Sequence, residues 1–214
     1  YGKVLYRVGG NNSKKSSIIL SKAYNSFMKS RWGKNYKVSK IIIPFPLKGR
    51  YFAGGNENRK AITHMGFNRY CYDIWGRDKN DVTRKKGKDG SKNEHYFGFG
   101  DAIYSPVNGK VIRAEGKYED DPPSPYISQD GNYVTIKGDD DLLYQFVHCK
   151  QGSVIVKEDQ VVSKGQKIAE LGNSSSAYPH LHFGVYSPDW MVSYPVFFTN
   201  CFNKTGEKIL HRPG

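Results

Sequence analysis

Pro179-His180-Leu181-His182-Phe183 lies within the run Leu171-Gly172-Asn173-Ser174-Ser175-Ser176-Ala177-Tyr178-Pro179-His180-Leu181-His182-Phe183-Gly184-Val185-Tyr186. A His-x-His set among alternating apolar residues reads as a β-strand, in which side chains two apart share a face. His180 and His182 then project into one site, while Leu181 and Phe183 face the other way. One imidazole can hold a metal and the other can serve the chemistry beside it. Taken alone, the pair is equally compatible with surface or core histidines, so its meaning depends on what the rest of the chain supplies.

Upstream stand His64 and Asp73, in Thr63-His64-Met65-Gly66-Phe67-Asn68-Arg69-Tyr70-Cys71-Tyr72-Asp73-Ile74-Trp75-Gly76. Tyr70, Tyr72 and Ile74 alternate as in a strand, which sets Cys71 and Asp73 on the opposite face. His64 sits in a glycine-containing approach loop that can fold back beside Asp73. Zinc takes imidazole nitrogen and carboxylate oxygen in a tetrahedral shell, and catalytic sites leave the fourth position to water. Two histidines and one carboxylate meet that requirement, which implies one Zn2+ per chain.

Further segments follow in a set order. They are Pro44-Phe45-Pro46-Leu47-Lys48-Gly49, the stretch from His64 to Asp73, Phe99-Gly100-Asp101-Ala102-Ile103-Tyr104-Ser105-Pro106-Val107-Asn108-Gly109-Lys110-Val111, Gly131-Asn132-Tyr133-Val134-Thr135-Ile136 and Tyr144-Gln145-Phe146-Val147-His148. With the strand ending in His182, this series resembles the zinc endopeptidases of peptidoglycan of the lysostaphin and LytM type, peptidase family M23. The resemblance runs from about Ile41 to Thr199. It implies His64, Asp73 and His182 as zinc ligands, and His148 and His180 as the two catalytic histidines flanking a metal-bound water. Asn132 and Tyr178 are the candidate substrate contacts. An imidazole titrating near about 6.5 can exchange a proton during peptide cleavage, and a second can hydrogen-bond the oxyanion. The division of these roles between His148 and His180 stays open.

The expected activity is hydrolysis of peptide bonds in peptidoglycan stems or cross-bridges. The alternative is a catalytically silent relative that binds cell wall or regulates a partner hydrolase. The resemblance also implies a secreted, periplasmic or cell-envelope location.

The chain departs from the family pattern in places. The compact His-x-x-x-Asp spacing would put Arg69 in the ligand position, so His64 serves only if its loop folds back. Asp159-Gln160 stands where a Gly-Asp turn is usual; Asp tolerates a left-handed conformation better than most residues. Ser175 replaces a usual glycine, and Tyr178 replaces a small residue before Pro179. These loop changes border the cleft and bear on substrate preference.

Composition bounds the remaining possibilities. At 214 residues, one domain with appendages is expected: an N-terminal extension over 1–39, a peptidase-like domain over 40–200 and a tail over 201–214. No run reaches the ~20 apolar residues of a membrane span. The chain opens at Tyr1 without a signal-peptide pattern, and is read as a processed or truncated form of an exported parent, export being implied by the resemblance.

Cys71, Cys149 and Cys201 have neither disulfide-framework nor CxxC spacing and read as small buried residues. Cys71 remains an extra-ligand candidate through its face. Cys149 follows His148, but strand neighbours point apart, which argues against a thiol protease.

A formal net charge of +13 favours polyanions, and the resemblance points to anionic cell-wall polymer. The densest basic piece, Arg84-Lys85-Lys86-Gly87-Lys88, lacks the interleaved aromatics of a single-strand nucleic-acid binder, so nucleic acid is not the expected partner.

Leu20, Ala23, Tyr24, Phe27 and Met28 recur at helical spacing and predict a short N-terminal helix from Ser16 or Ser17 to about Arg31. A charged insertion over 77–94 reads as a mobile loop, followed by His95 as a rival ligand. From Asp101 onward short strands are expected over Ala102–Tyr104, Lys110–Ala114, Tyr133–Lys137, Leu142–His148, Lys167–Leu171 and Leu181–Tyr186. Gly, Asn, Asp and Ser punctuate them. The fold class is therefore mainly β, an antiparallel β-sheet core with a LytM-like zinc cleft.

Overall fold

The computed structural model describes residues 26, 41–55, 64, 66–202 and 208–211. Twelve strands occur among them: β1 (Ile41–Ile43), β2 (Tyr51–Gly55), β3 (Tyr72–Gly76), β4 (Ala102–Tyr104), β5 (Gly109–Glu115), β6 (Asn132–Gly138), β7 (Leu143–Cys149), β8 (Val161–Val162), β9 (Lys167–Glu170), β10 (Leu181–Tyr186), β11 (Val196–Phe202) and β12 (Lys208–His211). The six strands expected after Asp101 appear as β4, β5, β6, β7, β9 and β10, their ends within one residue of the expectation. Apart from Ser26, which is helical, the expected N-terminal helix falls outside the described residues.

Seven strands form the main sheet in the order β2-β3-β10-β7-β6-β5-β8, with every neighbouring pair antiparallel. The His-x-His strand β10 therefore runs mid-sheet between β3 and β7. Two small sheets complete the fold, β4 with β9 and β1-β11-β12. The β1–β11 pair is parallel, an exception to the antiparallel expectation. The C-terminal stretch expected as a tail carries the end of β11 and all of β12.

Alternation decides which way each strand faces. Along β3, Tyr72 and Ile74 are buried while Asp73 and Trp75 are half-buried on the other side. The buried faces of β3, β7 and β10 meet through Ile74, Phe146, Leu181 and Phe183, all fully buried. The Phe183 ring packs 5.1 Å from Phe146 and 6.2 Å from Phe198, centroid to centroid, which ties the main sheet to β11. This apolar layer backs the cleft face; slipping β10 by one residue would exchange the two faces.

The charged insertion is tied down, in contrast to the mobile loop its composition suggested. Asp78 Oδ1 accepts from the backbone N–H of Asn80 (2.8 Å) and Val82 (2.9 Å). The Phe97 N–H donates to Thr83 O (2.9 Å) and the Lys85 N–H to His95 O (2.8 Å). These bonds, with an antiparallel bridge between Arg84 and Tyr96, make the segment a folded-back arm. Its return passes so close to β3 that any side chain at Gly76 would collide with the Phe97 backbone.

Phe183→Ala should cost about 3–5 kcal/mol, since it empties a fully enclosed aromatic site flanked by two further rings. Equilibrium urea unfolding checks this, and a loss below about 1 kcal/mol would contradict the packing described.

Candidate metal centre

Antiparallel pairing sets His182 of β10 directly opposite Asp73 of β3. Cross-strand partners share a face, so the imidazole and carboxylate meet above the sheet, with His182 Nδ1 2.8 Å from Asp73 Oδ1. His180, two residues before His182, reaches the same oxygen through Nε2 at 3.4 Å. The approach loop brings His64 back, its Nε2 3.2 Å from Asp73 Oδ1. His64 is buried, whereas Arg69 is exposed with its guanidinium over the Tyr70 ring. The turn over 66–71 thus sets His64, nine residues upstream, beside Asp73.

His148 reaches the cluster by a different route. Val147 pairs with His182 and so faces the cleft, and regular alternation would turn His148 into the core with Phe146. Instead, Asn132 and Tyr133 on β6 pair with Cys149 and Val147, leaving His148 as an extra residue on β7. Its φ of 66° marks a left-handed bulge. Such bulges re-aim side chains, and the conformation costs on the order of 1–3 kcal/mol in a non-glycine residue. The ring lies 4.7 Å from that of His180 and 6.1 Å from that of His182.

Main-chain carbonyls orient the two histidines that precede or end strands. His148 Nδ1 lies 2.8 Å from Ser174 O, and His180 Nδ1 lies 2.9 Å from Tyr178 O. A carbonyl only accepts, so each Nδ1 carries a proton, which in His148, kept neutral by burial, leaves Nε2 free to accept one. Ser174 is itself fixed: its hydroxyl donates to Cys149 O (2.8 Å) and accepts from the Asn132 N–H (2.9 Å).

Burial pushes the Asp73 pKa up, but hydrogen bonds from His180, His182 and His64 outweigh it and hold the carboxyl well below the usual carboxylate range. Burial lowers His148 to about 3, aided by the neighbouring His180 and His182. Burial likewise lowers His182, against the pull of Asp73. The site therefore favours an ionised Asp73 beside neutral His148 and His182, and for Asp73 and His182 that is the state a metal requires of its ligands.

Three of these residues fit a metal ion. One ligand atom each from His64, Asp73 and His182 lie within 4.8 Å of one another. Two imidazole nitrogens and one carboxylate oxygen form a donor set suited to zinc. The other candidates stand apart from this group. Cys71 is fully buried with Sγ 2.9 Å from Tyr186 Oη. His95 pairs with Asp89 in the folded arm, Nδ1 to Oδ1 at 3.0 Å.

Tyr178 lies exposed on the cleft wall, whereas Asn132 offers substrate no surface. Asn132 is fully buried, its side-chain N–H groups donate to Tyr118 O and Cys149 O, and its Oδ1 accepts from the Tyr118 N–H. Its place is behind His148, in the scaffold that holds Ser174. Sequence reasoning missed Ser174, Ser176 and Trp75. Ser176 Oγ lies 3.1 Å from His180 Nδ1. The Trp75 ring stacks on His180 at 5.5 Å and 26°. Strand periodicity offered a signal for Trp75, two residues beyond Asp73 on the same face; the loop serines left none.

The family model described as "Peptidase family M23" matches residues 95–193. The lipoprotein NlpD of Yersinia enterocolitica is 33% identical over 89 residues, covering 40% of this chain and 77% of that protein. The murein hydrolase activator NlpD of Escherichia coli strain K12 is 33% identical over 86 residues, covering 40% of this chain and 20% of that protein. Among solved structures, the antimicrobial peptidase lysostaphin from Staphylococcus simulans superposes with a TM-score of 0.41 at 19% identity, covering 64% of this chain and 43% of that one. The chain belongs to peptidase family M23.

Burial raises the thiols of Cys71 and Cys149 to about 12. Both should therefore resist a thiol-specific chromogenic reagent at pH 8 in native protein and react at once in denaturant. Rapid native labelling of either, located by peptide mass mapping, would contradict their placement.

Proposed function

We propose that this chain is a zinc-dependent endopeptidase acting on peptide bonds of peptidoglycan. The observation that carries the reading is the meeting of His64, Asp73 and His182 in one ligand group, with His148 and His180 beside it. His64 Nε2, Asp73 Oδ1 and His182 Nδ1 would hold the ion. Bound there, zinc supplies Lewis acidity to water and to the scissile carbonyl near neutral pH.

The protein's own residues supply the proton transfers. His148, kept neutral by burial and fixed by its Nδ1–H bond to Ser174 O, is suited to accept a proton at Nε2 from the attacking water. That proton can then pass from His148 to the departing amine, while an N–H at His180 Nε2 can hydrogen-bond the developing oxyanion. The carbonyl of Tyr178 and the stacked face of Trp75 hold the His180 ring in place. Positioned proton transfer of this kind contributes about 10²–10⁴-fold to rate. Membership of a peptidase family and relatives named for murein support a cell-envelope setting. No helix among the described residues is long and apolar enough to cross a membrane.

The names of the relatives favour a second reading, in which the cleft binds wall peptide or regulates a partner hydrolase without cutting. Metal content and release of free amines from purified peptidoglycan separate the two. The peptidase reading expects about one zinc per chain, lost in Asp73→Ala and His182→Ala. His148→Ala and His180→Ala should keep the zinc and lose about 10²–10⁴-fold in hydrolysis. Zinc-loaded wild-type protein that releases no amines but stimulates a separate wall hydrolase would establish the activator instead.

A further inference from the structure

Beside the ligand group lies a cleft of about 420 Å³ with a different chemistry. Trp75, Val82, Tyr96, Phe97 and Tyr178 give it an aromatic and apolar wall, and among the described residues Arg84 is the single charged one lining it. Trp75 belongs to both places, since it lines the cleft and stacks on His180. A chain seated in the cleft is thus one indole away from the hydrolytic histidines. The outer wall comes from the folded-back arm after β3, the charged insertion already described.

Arg84 is held ready in that wall. It bridges to Tyr96 across the arm, which sets the two side chains next to each other. Its Nη1 donates to Asp89 O at 3.0 Å, and the Tyr96 hydroxyl donates to Gly90 O at 3.2 Å. Gly90, at φ 86°, sits so tightly against both that a side chain there would press on the guanidinium and the phenol. The neighbouring acid, Asp89, pairs with His95. Among the described residues no carboxylate pairs with Arg84, whose remaining N–H groups can form a fork that matches a carboxylate in two parallel bonds.

We propose that this cleft is a subsite for a peptide segment bearing a free carboxylate, and that Arg84 is the residue that selects it. The proposal rests on the peptide-directed reading of the adjacent site. The aromatic lining favours a peptide over a wall polymer of repeating phosphates: stems and side chains bury apolar surface against Trp75 and Phe97, which a fully hydrated polyphosphate cannot do. The positive field of the chain attracts any anion at long range and is screened by salt, so the test is run at high ionic strength, where the direct Arg84 pair remains.

The test is isothermal titration of zinc-loaded protein carrying His148→Ala, which prevents turnover. The ligands are a peptidoglycan stem peptide with free carboxyl groups and the same peptide with them converted to carboxamides. The free-acid peptide should bind about tenfold tighter, as expected for a charge-assisted pair. Adding Arg84→Gln should bring the two to parity, and Arg84→Lys should restore only part of the difference, since an ammonium keeps the charge but not the fork. Equal affinities with Arg84 present, or a preference that survives Arg84→Gln, would overturn the proposal. So would a polyglycerol phosphate that binds tighter than either peptide and is released by Arg84→Gln. Acid preference in a protein whose wild-type form cuts neither peptide upholds the subsite and sinks the peptidase reading. Cleavage of both peptides at equal kcat/KM does the reverse.

Discussion

The pairing of His182 with Asp73 across β10 and β3 is the constraint on which the other parts of the site depend. A carboxylate in a largely buried setting is unfavourable without compensation, and the compensation comes from three imidazoles converging on one oxygen. The register that creates this meeting is held from behind by Phe183, Phe146 and Ile74. The apolar face and the polar face of β10 are therefore one specification read twice. Moving the strand by one residue would bury the histidines and expose the phenylalanine.

His148 shows where regular geometry is insufficient. A sheet offers side chains in alternation, and the cleft needs two in succession on one side, Val147 and then His148. The bulge supplies the second at the cost of a left-handed backbone. The strain is contained because Ser174 O bonds the His148 ring, and Ser174 is in turn held by Asn132 and Cys149. Asn132 thereby acts at a distance from the cleft. Its backbone N–H ties β6 to Ser174 in the loop before β10, its side-chain amide donates to Tyr118 O and Cys149 O, and its full burial leaves substrate no surface to touch.

Much of this was legible in the chain. The period-two patterns around Ile136, Phe146 and Phe183 disclosed the strands, because burial of one face is a local property that alternation reports directly. The His-x-His pair and Asp73 were legible for the same reason. His64 carried a weaker signal, since loop closure over nine residues leaves no periodic trace. The left-handed positions at Asp159 and Ser175, with φ of 67° and 57°, are the two at which the resemblance implied glycine. What stayed hidden depends on contacts distant in sequence. The bulge at His148 is defined by its partner strand, Ser174 by a carbonyl 26 residues from the ring it orients, and the insertion by hydrogen bonds that its charge-rich composition does not announce.

The two walls of the cleft come from different kinds of structure. The ligand group and its neighbours hang on mid-sheet strands, where altering a residue disturbs pairing on both sides. The folded-back arm leaves the end of β3 and returns past Gly76, carrying Val82, Arg84, Tyr96 and Phe97 with it. Its contents can be exchanged or its length changed while β3 and β10 keep their register. The ligand group and the shape of the cleft beside it are thus open to separate inheritance. A lineage built on this scaffold could change what the cleft accepts through one loop and leave the ligand group untouched.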